Sequence, residues 1–476
     1  MSNFLQRSTN LSCACAGLLG FAVLSAAGIG AQVPTVPNPT SPTPSSFQGS
    51  VSTGEATAQT IELSLDDAVQ RGLKANLGVV LSNTQTASVR GQRLTELQSL
   101  LPSVDFKATE TLTQVDLAAQ GLRIPGFPTI IGPFGYTDLR AYLNWSLVNV
   151  NSMRSYLAAK HNLAAATLSA QDAQDLVVLT VGNAYLLVLA DESQISSVEA
   201  QVATAKVSLD QAAARHAAGT APRLDELRAR VDYQRLEQLL IVARNSLEQD
   251  KLALARTIGL PLAQSFTLSD KVPFKEFDQI DVNAAIQQAH ANRKDLAAMV
   301  EQAKAAEEQR KAATAERFPV LSASGDYGVI GVNLGNSHGT GDATGAMRVP
   351  LFREFGLRGD AQIAQSQLDL AKAQLSDKGA QVDADVRDAL LDIQSAQQQV
   401  EVARSTVELA DQTLQDAQER YSNGVSDNLP VSEAQQTVAR ANDQYVASLY
   451  RHNVAKLSLA RALGAGSSYK SYLGGK

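Results

Sequence analysis

The chain has few cysteines, few aromatic residues and no excess of positive charge. Only two of its 476 residues are cysteine, Cys13 and Cys15, and both lie near the N-terminus. Aromatic residues make up 5% of the sequence, which suits closely packed helices better than a thick globular core. The formal charge of -7 disfavours nucleic-acid binding. Soft-metal sites are disfavoured too, because thiols are scarce and the four methionines are isolated.

An apolar run near the N-terminus predicts a secretory signal peptide. The run covers residues 11–29, follows Arg7, and precedes Gly30 and Ala31. A spanning helix is the alternative, but the run is short and rich in Ala, Gly, Ser and Cys. Loss of residues 1–31 removes Arg7 and both thiols and leaves a formal charge of -8. Because no later segment is expected to reach the apolar length of a spanning helix, a membrane location requires strands.

The sequence contains no clear catalytic constellation. Its five histidines are scattered, and no Gly-x-Ser-x-Gly nucleophile elbow is present. We therefore predict that the protein is not an enzyme and has no cofactor or metal site.

A long heptad seam marks the second half of the chain. Between residues 382 and 421, apolar or small residues alternate spacings of four and three, which predicts a long helix that packs on other helices. The seam consists of Val382, Val386, Ala389, Ile393, Ala396, Val400, Ala403, Val407, Ala410, Leu414, Ala417 and Tyr421.

The seam is repeated 205 residues earlier in the chain. Only Asp191 and His216 interrupt the earlier copy, and the same offset relates Arg215-x-x-x-Gly219 to Arg420-x-x-x-Gly424. The chain is therefore a tandem duplication. We divide it into a signal peptide (1–31), a disordered segment rich in Pro, Ser and Thr (32–59), a first repeat (60–259), a connector (260–280), a second repeat (281–465) and a short C-terminal tail (466–476).

Each repeat also predicts a pair of β-strands. After Pro102 and Pro319 the helical period gives way to alternation of apolar and polar residues, and Pro350 marks the return to helix. Each strand is about as long as the roughly 9 to 11 residues that cross a bilayer. A soluble sheet half covered by helices is the alternative. In a membrane, however, four strands in two separate hairpins cannot close a barrel, so several copies of the chain have to close it together.

Several short motifs in this order resemble the TolC-type outer membrane efflux proteins. The motifs are Leu65-Asp-Asp-Ala68, Leu101-Pro-Ser-Val104, Val349-Pro-Leu-Phe352 and Arg420-Tyr-Ser-Asn-Gly424. The resemblance covers about residues 60 to 465. It implies a mainly α fold with a small β part: tandem-duplicated coiled-coil helices plus four strands per chain. Three copies would form a 12-stranded β-barrel in the outer membrane and a periplasmic α-helical tunnel.

The resemblance also implies a function and partners. The homotrimer would be the passive exit duct of a tripartite efflux or type I secretion system. Its partners would be a periplasmic adaptor, an inner-membrane pump and outer-membrane lipid in a Gram-negative-type envelope. Two alternatives stay open: a periplasmic adaptor protein, and a structural coiled-coil protein without a pore.

The resemblance implies that the two helix turns form the closed periplasmic end of the tunnel, where acidic side chains ring the constriction. Candidates for this site are carried over from the family by spacing from the turn glycines, Gly219 and Gly424. Asp225 falls on the acidic position of the first turn, Glu433 on one acidic position of the second turn, and Tyr421 on its aromatic position. Family members place an Arg two residues and an acid six residues after the second glycine, where this chain has Ser426 and Pro430. The alternative role for Asp225 and Glu433 is to stabilise the first turns of their helices.

Overall fold

The computed structural model describes residues 44–52, 54–119, 121–122, 124–270, 274–278 and 280–473. The predicted signal peptide and the first part of the predicted disordered segment lie outside the described residues.

The described chain is mainly helical with a smaller β part. Its helices are α1 (Leu65–Ala75), α2 (Leu77–Gln98), α3 (Val150–Ala217), α4 (Arg223–Ile258), α5 (Val282–Asn292), α6 (Lys294–Ala315), α7 (Glu354–Ser422), α8 (Leu429–Ala462) and α9 (Tyr469–Leu473). Its strands are β1 (Ile61–Leu63), β2 (Ser103–Asp116), β3 (Ile130–Val148), β4 (Phe266–Leu268), β5 (Val320–Gly331) and β6 (Ser337–Arg348).

The predicted heptad seam is the packed face of α7. Ten of its twelve residues are buried, and the other two, Val407 and Leu414, are half-buried. The seam faces α8 for most of its length, where Val431, Ala434 and Val438 are also buried. The spacing thus identified both the helix and the side of the helix that packs.

The first helical segment of each repeat is divided into two helices. Asn76 separates α1 from α2, and Arg293 separates α5 from α6; both residues have extended backbone. At the first break the Asn76 amide accepts from Gly78 N at 2.9 Å and donates to Phe47 O at 2.7 Å. Tertiary hydrogen bonds made by the Asn76 side chain therefore accompany this break.

The two predicted hairpins form a single antiparallel sheet in the order β2-β3-β5-β6. The expectation of two separate hairpins is therefore wrong, because β3 pairs with β5 along most of its length and places Trp145 opposite Ala323. The connections within the hairpins are residues 117–129 and 332–336, since β3 begins at Ile130 and β6 at Ser337.

A second, two-stranded sheet contributes Leu63 and Phe266 to the main core, the buried apolar cluster that also contains Val177 and Leu254. β1 and β4 pair in parallel, with Ile61 opposite Phe266, so two segments separated by the repeat offset meet. Tyr185 of α3 is fully buried against this pair and donates to Leu63 O at 3.0 Å.

Two segments near the ends of the described chain are packed rather than loose. The predicted disorder is wrong for the stretch around Pro44–Gln48, which is a 3-10 helix with Phe47 against the main core. Ser50 bonds to the Arg256 carbonyl at the end of α4. In the predicted C-terminal tail, Tyr469 and Leu473 are buried in the same core.

Helix α3 contains a stretch that is long and apolar enough to cross a membrane, contrary to the sequence expectation. Its Val177, Val181 and Val188 are fully buried against neighbouring helices. These contacts are those of a central packing helix, which passes the same test of length and composition.

Candidate functional site at the helix turns

Two glycine turns join the long helices. Residues 218–222 join α3 to α4, and residues 423–428 join α7 to α8. Gly219 and Gly424 have φ of 69° and 71°, a conformation that side chains with a Cβ rarely adopt. In both turns the next backbone N–H bonds five residues back, from Thr220 to Arg215 O at 2.9 Å and from Val425 to Arg420 O at 3.0 Å. Both helices therefore end in the same glycine C-cap.

Arg215 connects the two turns. Its guanidinium donates to Tyr421 O at 2.7 Å and to Ser422 O at 2.9 Å. Its Cζ also lies 4.4 Å from the centre of the Tyr421 ring. The last carbonyls of a helix carry partial negative charge and lack partners within the helix. The cation at the end of α3 thus stabilises the end of α7.

Arg228 makes a second, looser connection. Its Nη1 lies 4.0 Å from Asp225 Oδ1 on its own helix and 3.9 Å from Asp427 Oδ2 in the other turn. Asp225 is 4% exposed, whereas Asp427 is well exposed. One cation is therefore shared by a buried and an exposed carboxylate, and its contact with Asp427 spans the gap between the turns.

Polar pairs continue along the helices behind the turns. The Ser432 hydroxyl of α8 donates to Asp232 of α4, and Gln435 Nε2 of α8 donates to Ser208 Oγ of α3 at 2.8 Å. Helix α8 is thus bonded to both helices of the first hairpin. Hydrogen bonds of this kind can be exchanged for water one at a time, unlike a packed apolar seam.

The second turn contains buried polar atoms without partners. Tyr421 Oη, Ser426 Oγ and Asn428 Oδ1 make no hydrogen bond within the described residues. Buried polar atoms are normally hydrogen-bonded, so these three are exceptions within the described chain. The Tyr421 ring packs against Ala417.

The predicted site residues occupy different environments. Asp225 is buried in the first turn of α4, whereas Glu433 is exposed on α8. The first turn of α8 holds no acid, so Glu433 has no helix-start role. Ser426 is uncharged and half-buried, and Pro430 lies at the start of α8, so neither forms an ion pair.

The three boundary prolines lie at the ends of the large sheet. Pro102 directly precedes β2, Pro319 directly precedes β5, and Pro350 follows β6 before α7 begins. Within the described ranges, no group of three or more His, Cys, Asp or Glu side chains is placed to hold a metal ion.

The residues that join the two turns, Arg215, Arg228 and Asp427, were not among the site residues predicted from the sequence. The repeated Arg-x-x-x-Gly motif contained a signal for Arg215, since a basic residue in the last helical turn is placed near free carbonyls. Nothing in the sequence pairs Arg228 with Asp427, which is 199 positions further along the chain.

Comparisons with known proteins agree with this architecture. The sequence pattern of the family described as "Outer membrane efflux protein" matches residues 85–260 and 285–465. No curated protein matches the chain.

Solved structures with the same fold include three outer membrane proteins. VceC of Vibrio cholerae has a TM-score of 0.73 at 21% identity, covering 84% of this chain and 96% of that one. The CmeC outer membrane channel of Campylobacter jejuni has a TM-score of 0.75 at 18% identity, covering 90% and 95%. The MtrE outer membrane channel of Neisseria gonorrhoeae, solved in an open state, has a TM-score of 0.72 at 17% identity, covering 91% and 98%.

Proposed function

The chain belongs to the outer membrane efflux protein family, and from this premise we propose that three copies form the exit duct of a tripartite efflux or type I secretion system. The protein is located in the outer membrane. Solutes would pass passively through the trimer, which opens at the helix turns. A periplasmic adaptor and an inner-membrane pump would be the partners that deliver solute to it.

The observation that carries this proposal is the pair of open edges of the large sheet. In the order β2-β3-β5-β6, the outer strands β2 and β6 each have one edge that is unpaired within the described chain. Unpaired backbone groups cost several kcal/mol each in hydrocarbon. Pairing of β6 in one copy with β2 in the next would satisfy both edges and close a barrel of three chains.

The two faces of the sheet differ as a barrel wall requires. Phe106, Leu143 and Trp145 lie on one face, and Asp105 and Arg140 lie on the other. Apolar residues outside and polar residues inside are the arrangement of a spanning barrel with an aqueous lumen.

The helices repeat the order of the strands. Helix α2 packs on α3, α3 on α6 and α6 on α7; further from the sheet, α4 packs on α3, α3 on α8 and α8 on α7. Helix α7 therefore lies at one side of both rows, and α2 and α4 lie at the other. The same two sides of the chain are open in the sheet and in the helices, as a ring of identical copies requires.

The outer helices also carry exposed apolar side chains. These residues on α4 are Leu224, Leu227, Val231, Ile241, Val242 and Leu252. Those on α7 are Phe355, Ile363, Leu370, Leu391, Val402 and Leu409, and several are spaced by seven. Helix α7 thus carries an exposed apolar seam in addition to its buried one. This fits packing of α7 against the α4 of a neighbouring copy.

We assign the opening of the duct to the two turns. In the closed trimer, Asp225 and Glu433 from three copies would bring negative charge to the narrowest point. Opening would move α7 and α8 relative to α3 and α4, and would break the bonds from Arg215 to Tyr421 and from Arg228 to Asp427. An adaptor protein or a structural protein without a pore would not need a sheet whose apolar face is exposed, as Phe106, Leu143 and Trp145 are here.

Cysteine labelling on intact cells tests this proposal. The loops 117–129 and 332–336 join the strands at the end of the sheet away from the helices, so they should lie outside the cell. Cysteines at Ala119 and Asn336, both exposed, should react with a membrane-impermeant thiol reagent, because the mature chain has no thiol of its own.

A matched control comes from the opposite end of the chain. A cysteine at the exposed Asp427, in the second helix turn, should stay unreactive until the envelope is permeabilised. Protection of both loop cysteines, or reaction of all three sites on intact cells, would contradict the proposed duct.

A further inference from the structure

Charged side chains are concentrated on the polar face of the large sheet, far from the helix turns. The strand register places Asp105, Tyr142, Asp326 and Asp342 in one row across β2, β3, β5 and β6. The next row contains Lys107 opposite Arg140. Since alternate residues of a strand share one face, these side chains and Asp138 lie on the same side of the sheet.

Arg140 is the centre of this group. Its Nε lies 2.7 Å from Asp138 Oδ1, its Nη2 also bonds to Asp138, and its Nη1 lies 3.1 Å from Asp326 Oδ1 on the neighbouring strand. Its Cζ lies 5.7 Å from the Tyr142 ring. A guanidinium bonded on two sides has a fixed position, unlike a solvated surface arginine.

Gly328 makes room for this arrangement. It lies opposite Arg140 in the register. A Cβ at position 328 would lie 2.5 Å from Arg140 Cγ and 2.0 Å from Leu139 O, so no larger residue fits without a shift of backbone. The sheet therefore accommodates the arginine side chain across β5 at the point where it reaches Asp326.

A second feature of the row works against sheet stability. Asp326 and Asp342 are directly opposite each other on β5 and β6. Like charges in directly opposed positions destabilise a sheet. Arg140 compensates the charge of Asp326. The Asp342 carboxylate instead accepts a hydrogen bond from Thr344 Oγ1 of its own strand, at 3.2 Å. An arrangement that costs stability is better explained by a role in function.

Building on the proposed duct, we propose that these six residues form a charged belt in the lumen of the barrel that selects solutes by charge. The belt consists of Asp105, Lys107, Asp138, Arg140, Asp326 and Asp342. Each chain contributes four carboxylates and two cations, so three copies give the lumen an excess of negative charge. The belt favours cationic solutes and holds back anions, at a position separate from the acids of the helix turns.

The test measures the local potential at the belt, because ion currents through the whole duct would also depend on the helix turns. Ser324 lies one row from Asp326 on the polar face of β5, is exposed, and is nearly isosteric with cysteine. The Ser324→Cys protein, reconstituted in liposomes, is treated with a cationic and with an anionic thiol reagent of similar size. We expect the cationic reagent to react faster by about tenfold or more.

Charge variants in the Ser324→Cys background then identify the source of this preference. Asp326→Asn with Asp342→Asn should lower the ratio of the two rates by about fivefold, and Lys107→Gln should raise it by about threefold. If the double variant fails to assemble, Asp105→Asn replaces it with the same direction of change. The matched control is Glu110→Gln, which removes a negative charge from the opposite face of β2 and should leave the ratio unchanged.

The possible results distinguish a failure of the charged-belt proposal from a failure of the proposed duct. Equal rates for the two reagents, or a ratio that the belt variants leave unchanged, would overturn the belt alone. A Ser324→Cys thiol that stays protected while an Asn336→Cys thiol reacts would show that the polar face does not line the lumen, which overturns the belt too. Protection of both thiols would overturn the duct and the belt together.

Discussion

Among single residues, an informative difference between the two repeats is found at one position of the heptad seam and at the residue packed opposite it. Asp191 of α3 lies opposite Asp250 of α4, and the repeat offset of 205 relates these acids to Ala396 and Ala455. One repeat thus packs two carboxyls where the other packs two methyl groups. The sequence marked Asp191 only as an interruption of the heptad, because its partner lies on another helix.

The lysines next to these positions differ as well. Lys251 pairs with Glu192 at 3.4 Å, but the equivalent Lys456 is almost fully buried and donates to Lys275 O at 2.6 Å. Gln397 stands at the position equivalent to Glu192. Burial lowers the pKa of Lys456 to about 8, and the positive charge of Lys275 is a further cause. Through Lys275, the connector (260–280) therefore contacts the second repeat at the position where the first repeat has the Lys251–Glu192 ion pair.

The carboxyl pair should make stability depend on pH. Burial, with the hydrogen bond to Asp250 as a further cause, raises the pKa of Asp191 to about 7. The folded protein then binds a proton that the unfolded chain, with a pKa near 3.8, has already released. Stability should therefore fall as pH rises from about 4 to about 7 and should change no further with this group above that pH.

Thermal unfolding of Asp191→Asn between pH 5 and 8 tests this expectation. The free energy of unfolding of the variant should fall less as pH rises than that of the wild type. At pH 8 it should exceed the wild-type value by on the order of 1 kcal/mol, which allows for solvent screening. Asp210→Asn, a change of the same kind at an exposed position of α3, should keep the wild-type profile. Identical profiles for Asp191→Asn and wild type would contradict the raised pKa of Asp191.

At the scale of elements, the sequence predicted regular helices well and their interruptions poorly. The four-three spacing located α7 and its buried side, because the helical period itself determines which residues face the neighbour. The breaks at Asn76 and Arg293 were not predictable in this way. Asn76 bonds to Phe47 O and Thr257 O, and Arg293 bonds to Asp295 and Asp385, so most of their partners lie far away in the sequence.

In the candidate site, too, the sequence predicted some residues and not the contacts between distant segments. Spacing from the turn glycines led to Asp225 and Tyr421, which the structure places in buried positions beside the turns. The connection between the turns is made by Arg215 and Arg228, whose partners come from the other repeat. Local sequence carries no signal for a contact that forms only when two repeats come together.

The turns should open more readily when these connections are removed. Arg215→Gln with Arg228→Gln deletes the bonds to the Tyr421 and Ser422 carbonyls and the contact with Asp427, while both glycine caps remain. Single-channel recordings in planar bilayers should then show at least about a twofold higher conductance, because a charge-assisted hydrogen bond contributes roughly 1.5 to 3 kcal/mol.

Arg244→Gln provides the control for this experiment. Arg244 pairs with Glu199 at 2.7 Å between exposed positions of α4 and α3, away from the turns, and such surface pairs contribute little. Its conductance should equal that of the wild type. An unchanged conductance in the Arg215 and Arg228 double variant would place the closing contacts elsewhere.

At the scale of the whole molecule, the sequence predicted four strands, a duplication and the need for several copies. It did not predict that β3 and β5 join the two hairpins, since these strands are far apart in the chain and alternation alone does not specify a partner. This pairing strengthens the argument for assembly, because it leaves one open edge on each side of a single sheet and aligns those edges with the outer helices α2, α4 and α7.

The central claim is that the chain completes its barrel only with other copies of itself, and the number of chains in the purified protein tests it most directly. The mature protein, extracted from outer membranes in a mild detergent, is measured by native mass spectrometry. We expect the mass of three chains, because the outer edges of β2 and β6 are unpaired within the described chain and α4 and α7 carry exposed apolar side chains. A stable monomer under these conditions would contradict it.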